Sequence, residues 1–121
     1  MEKVEFLILR NLLYNEEYVR KVVPFIKAEY FEDFNQKVVF EEILNFVQEY
    51  NQPATKEVLC IETEKRQDIN DSSFKEITDL IGSLEESPAE FNWLVETTEK
   101  WCRDRAIYLA LMESIQLADG K

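Results

Sequence analysis

Neighbouring glutamates are the residues of this sequence whose type best suits acid–base chemistry. They occur as the pairs Glu16–Glu17, Glu41–Glu42 and Glu85–Glu86. Two carboxylates that act on one substrate must face it together, whereas adjacent residues on an α-helix diverge by about 100°. Histidine, the usual general base near neutral pH, is absent from the 121 residues. We therefore expect no catalysis by this chain alone.

Motifs that bind nucleotides or metal ions are also missing. The sequence has no GxxxxGK phosphate loop followed by Ser or Thr, no GxGxxG, no HExxH and no EF-hand loop. We therefore expect no cofactor in this chain. Its two cysteines, Cys60 and Cys102, lie far apart without CxxC spacing, which favours two reduced, buried thiols in an intracellular protein.

The charge balance limits the possible partners. A net charge of −11, from 25 acidic and 14 basic residues, argues against a broad nucleic-acid surface, which needs cations to displace counterions from phosphates. The longest unbroken apolar run, residues 106–112, is far shorter than the roughly 20 residues of a membrane span. Early charges also interrupt any signal-peptide pattern. We expect a soluble, cytoplasmic protein.

Helical periodicity extends over most of the chain, and only two glycines and three prolines interrupt it. So few breakers favour an all-α domain of about six helices. The first helix should end near Tyr14, and Asn15 should cap a second helix that runs to about Pro24. A broad apolar stripe predicts a third helix between Phe34 and Tyr50 at the centre of the core.

Polar caps and prolines predict the next boundaries. Pro53 should stop the third helix, and Thr55 should cap a short fourth helix. The polar residues 62–71 are expected to form a surface loop. Ser73 and Glu76 form a capping-box pattern that should open the fifth helix.

The last helix has the clearest start signal of the sequence. Ser87 is the expected N-cap, Pro88 suits the first helical position, and Glu90 should reach back to the cap. Continued almost to the last residue, this helix would be about 45 Å long, whereas a domain of this size has a diameter of roughly 35 Å. We expect a globular helical bundle over residues 1–86 and a long projecting helix over residues 87–121.

Apolar side chains occupy two faces of this last helix. Leu94, Trp101, Tyr108 and Met112 share one face that is typical of core packing. Beyond Arg105 a second face turns apolar, which predicts a partner: either a second copy or a segment outside these 121 residues. The alternative is that earlier helices cover both faces. The candidate interface residues are Trp93, Arg105, Ile107, Ala110, Leu111, Ile115 and Leu117.

Arg105 lies within the first apolar stripe. A buried arginine needs a carboxylate or a carbonyl partner, because an unpaired buried charge is costly. We expect a structural ion pair, with an interface contact as the alternative.

The stretch ESPAEFNWLVETTEKWCRDRA, residues 86–106, resembles the N-terminal domain of the replicative DNA helicases of T-even-type bacteriophages, which are DnaB-type hexameric helicases. The most specific part is WLVETTEK followed by RA. Earlier segments fit as well: the short opening helix, Pro24 followed by EYF at residues 29–31, and EYNQP at residues 49–53. The similarity covers essentially the whole chain. The matching residues of the last helix and the turn before it are Ser87, Pro88, Trp93, Leu94, Val95, Thr98, Glu99, Lys100, Arg105 and Ala106.

The resemblance implies a helical bundle with a helical hairpin that belongs to the collar of a hexamer. The hairpin's first helix would begin at Pro88, and its return helix would lie beyond Lys121. Subunits would associate toward a dimer or hexamer, and primase and the helicase loader would engage this tier. ATP and Mg²⁺ would bind only a C-terminal RecA-like motor domain that this chain does not contain. DNA would be contacted at most indirectly, through the assembled ring.

The leading hypothesis is therefore an assembly domain of a phage replicative helicase in the cytoplasm of the infected host cell. The alternative is a free-standing acidic adaptor or inhibitor that binds a partner protein through the same helix. A third hypothesis, a small single-stranded DNA-binding module, would require affinity that falls steeply with added salt.

Overall fold

The computed structural model describes the backbone of residues 4–120 and the side chains of residues 4–118. Within that part of the chain the protein has six α-helices and no strand, which confirms the predicted all-α class. Two single-turn 3-10 helices, Val23–Phe25 and Ala28–Tyr30, connect the second and third α-helices. The α-helices are α1 Val4–Tyr14, α2 Glu16–Val22, α3 Phe34–Tyr50, α4 Lys56–Glu64, α5 Asp71–Ser83 and α6 Phe91–Gly120.

Helix α3 is the centre of the core, as its broad apolar stripe predicts. It packs against α1, α4 and α5. Its residues Val38, Phe40 and Ile43 have no exposed surface, and the centre of the Phe40 ring lies 5.2 Å from the centre of the Phe31 ring. Burial of side chains this large is the main favourable contribution to folding.

Two predicted caps are confirmed. The Asn15 side chain accepts a hydrogen bond from Tyr18 N at 3.0 Å at the start of α2. The Thr55 hydroxyl accepts one from Val58 N at 3.2 Å at the start of α4. In both cases the side chain satisfies an amide that has no partner within the helix.

Helix α3 ends at Tyr50, as predicted, but the residue that ends it is Asn51 and not Pro53. Asn51 adopts the left-handed conformation (φ 56°), and its amide donates to Val47 O at 2.8 Å. The start of the next long helix differs from the prediction. Helix α5 begins at Asp71, and its cap is Asn70, whose side chain accepts from Ser73 N at 2.8 Å. The expected capping box does not form, because Glu76 instead accepts a hydrogen bond from Asn35 of α3.

The polar stretch 62–71 is not simply a surface loop. Its first three residues complete α4, and its last residue opens α5. Between them the Arg66 guanidinium donates to Glu42 at 2.8 Å, to Glu41 at 3.0 Å and to Asp68 at 2.7 Å. The neighbouring carboxylates of Glu41 and Glu42 therefore do meet one group, because the planar guanidinium presents several N–H donors. This pair serves as a structural tether between α3 and the loop.

A buried hydroxyl pair joins α2 to α6. Tyr18 Oη lies 2.6 Å from Thr98 Oγ1, and Thr98 Oγ1 also donates to Leu94 O at 2.8 Å. Since Thr98 has one hydroxyl proton, Tyr18 is the donor to Thr98. Burial raises the pKa of the Tyr18 hydroxyl, so that it keeps its proton.

This assignment predicts an asymmetric cost of removing either hydroxyl. Thr98→Val should destabilise the fold by about 1–3 kcal/mol, because the buried Tyr18 hydroxyl loses its acceptor. Tyr18→Phe should cost less, about 1 kcal/mol, because Thr98 keeps its bond to Leu94 O. Urea unfolding followed by circular dichroism measures both values. A larger loss in Tyr18→Phe would show that the donor assignment is wrong.

Candidate interaction surface

Helix α6 begins three residues later than its sequence predicts. Ser87 and Pro88 precede the helix, which starts at Phe91. Glu90 takes the capping position: its carboxylate accepts from Asn92 N at 3.1 Å and from Trp93 N at 2.8 Å, and its carbonyl accepts from Leu94 N. The amides of the first helical turn have no acceptor within the helix, and the Glu90 carboxylate supplies one for two of them. This cap places the start of the helix at Phe91. The helix has 30 residues and is therefore about 45 Å long.

The first half of α6 belongs to the core. Leu94, Val95, Thr98 and Cys102 are buried, and the helix packs there against α1, α2 and the 3-10 helix Ala28–Tyr30. This part of the predicted core face is confirmed.

Arg105 marks the end of the buried half. Its Nε donates to Tyr30 O at 2.6 Å, and its guanidinium lies 5.0 Å from the centre of the Tyr108 ring. The expected ion pair does not form. A backbone carbonyl, the alternative acceptor for a half-buried arginine, takes its place. Arg105 ties α6 to the bundle through these contacts, and its role in an interface stays a prediction.

Beyond Arg105 the helix leaves the bundle. All side chains from residue 110 to residue 118 are exposed, so within the described part of the chain the earlier helices do not cover both faces. Large apolar side chains lie in this segment and just before it. The exposed fractions are 53% for Ile107, 58% for Leu111, 52% for Ile115 and 73% for Leu117. Ala110 is exposed as well.

The structure corrects the assignment of Tyr108 and Met112 to the core. Their exposed fractions are 47% and 37%, because the bundle ends before the helix does. At about 100° per residue, the two lie within an arc of about 140° that also holds Ile107, Leu111 and Ile115, so the predicted second apolar face is continuous with the first stripe and not separate from it. We call these five residues the apolar face. Because the helix is longer than the diameter expected for the domain, its last turns extend beyond the core.

The remaining candidate residues lie apart from the apolar face. Ala110 and Leu117 point about 100–120° away from Leu111 and form a second flank. Trp93, which is 52% exposed, lies on the same side as Leu111 but about 27 Å nearer the start of the helix. An ion pair between Lys100 and Asp104, at 2.9 Å, occupies the helix surface between them. The structure therefore does not bring the seven predicted residues together in one patch.

Neither a cluster of metal ligands nor a membrane-spanning helix occurs among the described residues. They contain no group of three or more Asp, Glu, Cys or His side chains that could hold a metal ion. No helix among them combines the length and the apolar character needed to cross a bilayer.

The two cysteines are free thiols in different surroundings. Cys102 is buried, and this burial raises the pKa of its thiol to about 12. Cys60, on α4, is only partly buried, so the expectation of two buried thiols holds for Cys102 alone.

We expect a maleimide at about pH 8 to modify Cys60 well before Cys102, because the reactive thiolate of Cys102 is scarce and shielded. Quenching at intervals and mass spectrometry of the peptides give the two rates, and unfolding in urea should make them similar. Equal rates in the folded protein would contradict the burial of Cys102.

The sequence has a clear relative among known proteins. Over 111 residues it is 31% identical to the "DnaB-like replicative helicase" of Enterobacteria phage T4. The match covers 92% of this chain and 23% of the helicase, so the chain spans about a quarter of the relative's length. No family model matches the chain. The resemblance that its residues indicate is confirmed: over nearly its whole length, this chain is a sequence relative of a phage DnaB-like replicative helicase.

Proposed function

We propose that this chain is the N-terminal assembly domain of a phage replicative helicase, part of the collar through which subunits associate. The observation that carries the proposal is the apolar face of α6, which the bundle leaves exposed. Exposed apolar surface on a helix indicates a protein interface. The relative supplies the setting, since it is a replicative helicase several times longer than this chain.

The arrangement of the last turns favours two neighbours. The apolar face and the flank of Ala110 and Leu117 point in different directions, so one straight helix cannot cover both. A second subunit on the apolar face and the return helix of a hairpin on the flank of Ala110 and Leu117 would bury them. In this proposal residues 87–121 contain the first arm of the hairpin: the buried half of α6 anchors the arm in the bundle, and its projecting turns form the pairing element.

Primase and the helicase loader are the proposed further partners of this tier. The proposal assigns no motor to the chain, because its sequence lacks a phosphate loop. ATP and Mg²⁺ would bind the motor domain of the parent protein. The net charge of −11 disfavours a direct grip on DNA, so DNA would be contacted through the assembled ring in the infected cell.

The coding sequence beyond the codon for Lys121 tests this proposal against the acidic adaptor. A helicase predicts a continuing frame that encodes a second amphipathic helix and then GxxxxGK followed by Ser or Thr. A stop codon directly after Lys121 would contradict the helicase domain and favour an adaptor that uses α6 for another protein.

A further inference from the structure

A groove between the second half of α3 and α4 lies outside the surfaces described so far. It has a volume of about 200 Å³ and is walled by the apolar side chains of Phe46, Tyr50, Val58 and Ile61. The centres of the Phe46 and Tyr50 rings lie 4.7 Å apart. Tyr50 is 57% exposed and Ile61 is 50% exposed. These two side chains add little to the core and leave an apolar depression open to solvent.

The charged side chains that line this groove are all acidic: Glu42, Glu49 and Glu62. Glu42 is paired with Arg66 and Glu62 with Lys65. Lys65 and Arg66 therefore offset part of this charge. Glu49 is exposed on the rim of the groove and has no ion pair among the described residues. Glu57 and Glu64, which lie next to Ile61 around α4, have no ion pair among the described residues and add to the charge of Glu49. The groove therefore combines apolar walls with a negative rim.

We propose that this groove is a docking site for a basic amphipathic segment of another protein. An apolar side chain of that segment would lie between Tyr50 and Ile61. The aliphatic stems of its lysines or arginines would cover the aromatic rings, and their charged ends would meet Glu49 and Glu62. The acidic rim repels nucleic acid. A peptide with both apolar and positively charged side chains complements the groove in polarity and in charge. The inference is independent of self-association through α6.

The test uses a fluorescein-labelled synthetic amphipathic helix of leucine and lysine, titrated with the protein at low ionic strength and followed by fluorescence anisotropy. The expected result is saturable binding that weakens as salt screens the charges. A peptide of the same pattern with glutamate in place of lysine should not bind. Equal binding of both peptides, or no binding of the lysine peptide, would overturn the proposal.

Variants separate the groove from the overall negative charge. Ile61→Ser leaves the charge unchanged and Glu49→Lys reverses one rim charge; each should weaken binding about tenfold, as loss of a well-placed contact does. Glu86→Lys, which makes the same charge change in the exposed connection before α6, should have less than about a twofold effect. Circular dichroism confirms that each variant is folded. Undiminished binding by Ile61→Ser, or equal losses in the two lysine variants, would show a general charge effect and overturn the groove assignment.

Discussion

Leu111→Asp is expected to weaken the proposed self-association through α6 at least about 100-fold, because burying a carboxylate in place of leucine removes apolar contact and adds a desolvation cost. Leu111 lies at the middle of the apolar face and is 58% exposed in the single chain. The substitution should therefore leave the fold and its helical content unchanged. Sedimentation equilibrium over a range of concentrations measures the dissociation constant of both proteins.

Gln116→Asp is the matched control for this experiment. It introduces the same side chain at an exposed position outside the apolar face, about 140° around the helix from Leu111 and about 40° beyond Met112 at the edge of that face. Its association should remain within about threefold of the unsubstituted protein, as for an exposed surface change. If Leu111→Asp assembles as well as this control does, the apolar face is not the interface.

Phe40→Ala is expected to have the largest effect on stability, about 3–5 kcal/mol. The Phe40 ring has no exposed surface and packs against Phe31 in the centre of α3. Its removal leaves a large cavity in the core. Because small domains are stable by only about 5–15 kcal/mol, this loss should lower the unfolding midpoint greatly.

Phe34→Ala on the same helix provides the control, since Phe34 is 46% exposed. It should cost much less than Phe40→Ala, about 1 kcal/mol, because nearly half of its surface is already in water. Guanidinium unfolding monitored by circular dichroism gives both values. Similar losses in the two variants would contradict the central position of α3.

Much of the fold follows from local signals in the sequence. The ends of α1 and α2, the span of α3 and the caps Asn15 and Thr55 are set by residues within a few positions of each boundary. Their prediction needs only helical spacing and hydrogen-bonding side chains. The exposed apolar end of α6 could also be predicted, because helix length and domain size are both available from the sequence.

Features that depend on tertiary contacts could not be predicted in this way. The capping-box pattern predicts that Glu76 caps α5, but its carboxylate accepts a hydrogen bond from Asn35 of α3. The carbonyl that accepts the hydrogen bond of Arg105 belongs to Tyr30, 75 residues away in the sequence. Periodicity placed Tyr108 in the core, since it cannot tell where the bundle that covers a helix ends. The groove between α3 and α4 likewise depends on how two helices meet.

Hydrogen exchange in the last turns of α6 tests the central claim most directly. If the apolar face is an interface, the backbone amides of residues 107–118 should exchange more slowly as the protein concentration rises, because association protects them from opening. Amides in α3 should be well protected at every concentration and serve as the internal reference. Exchange in residues 107–118 that stays fast and independent of concentration would contradict an interface on this helix.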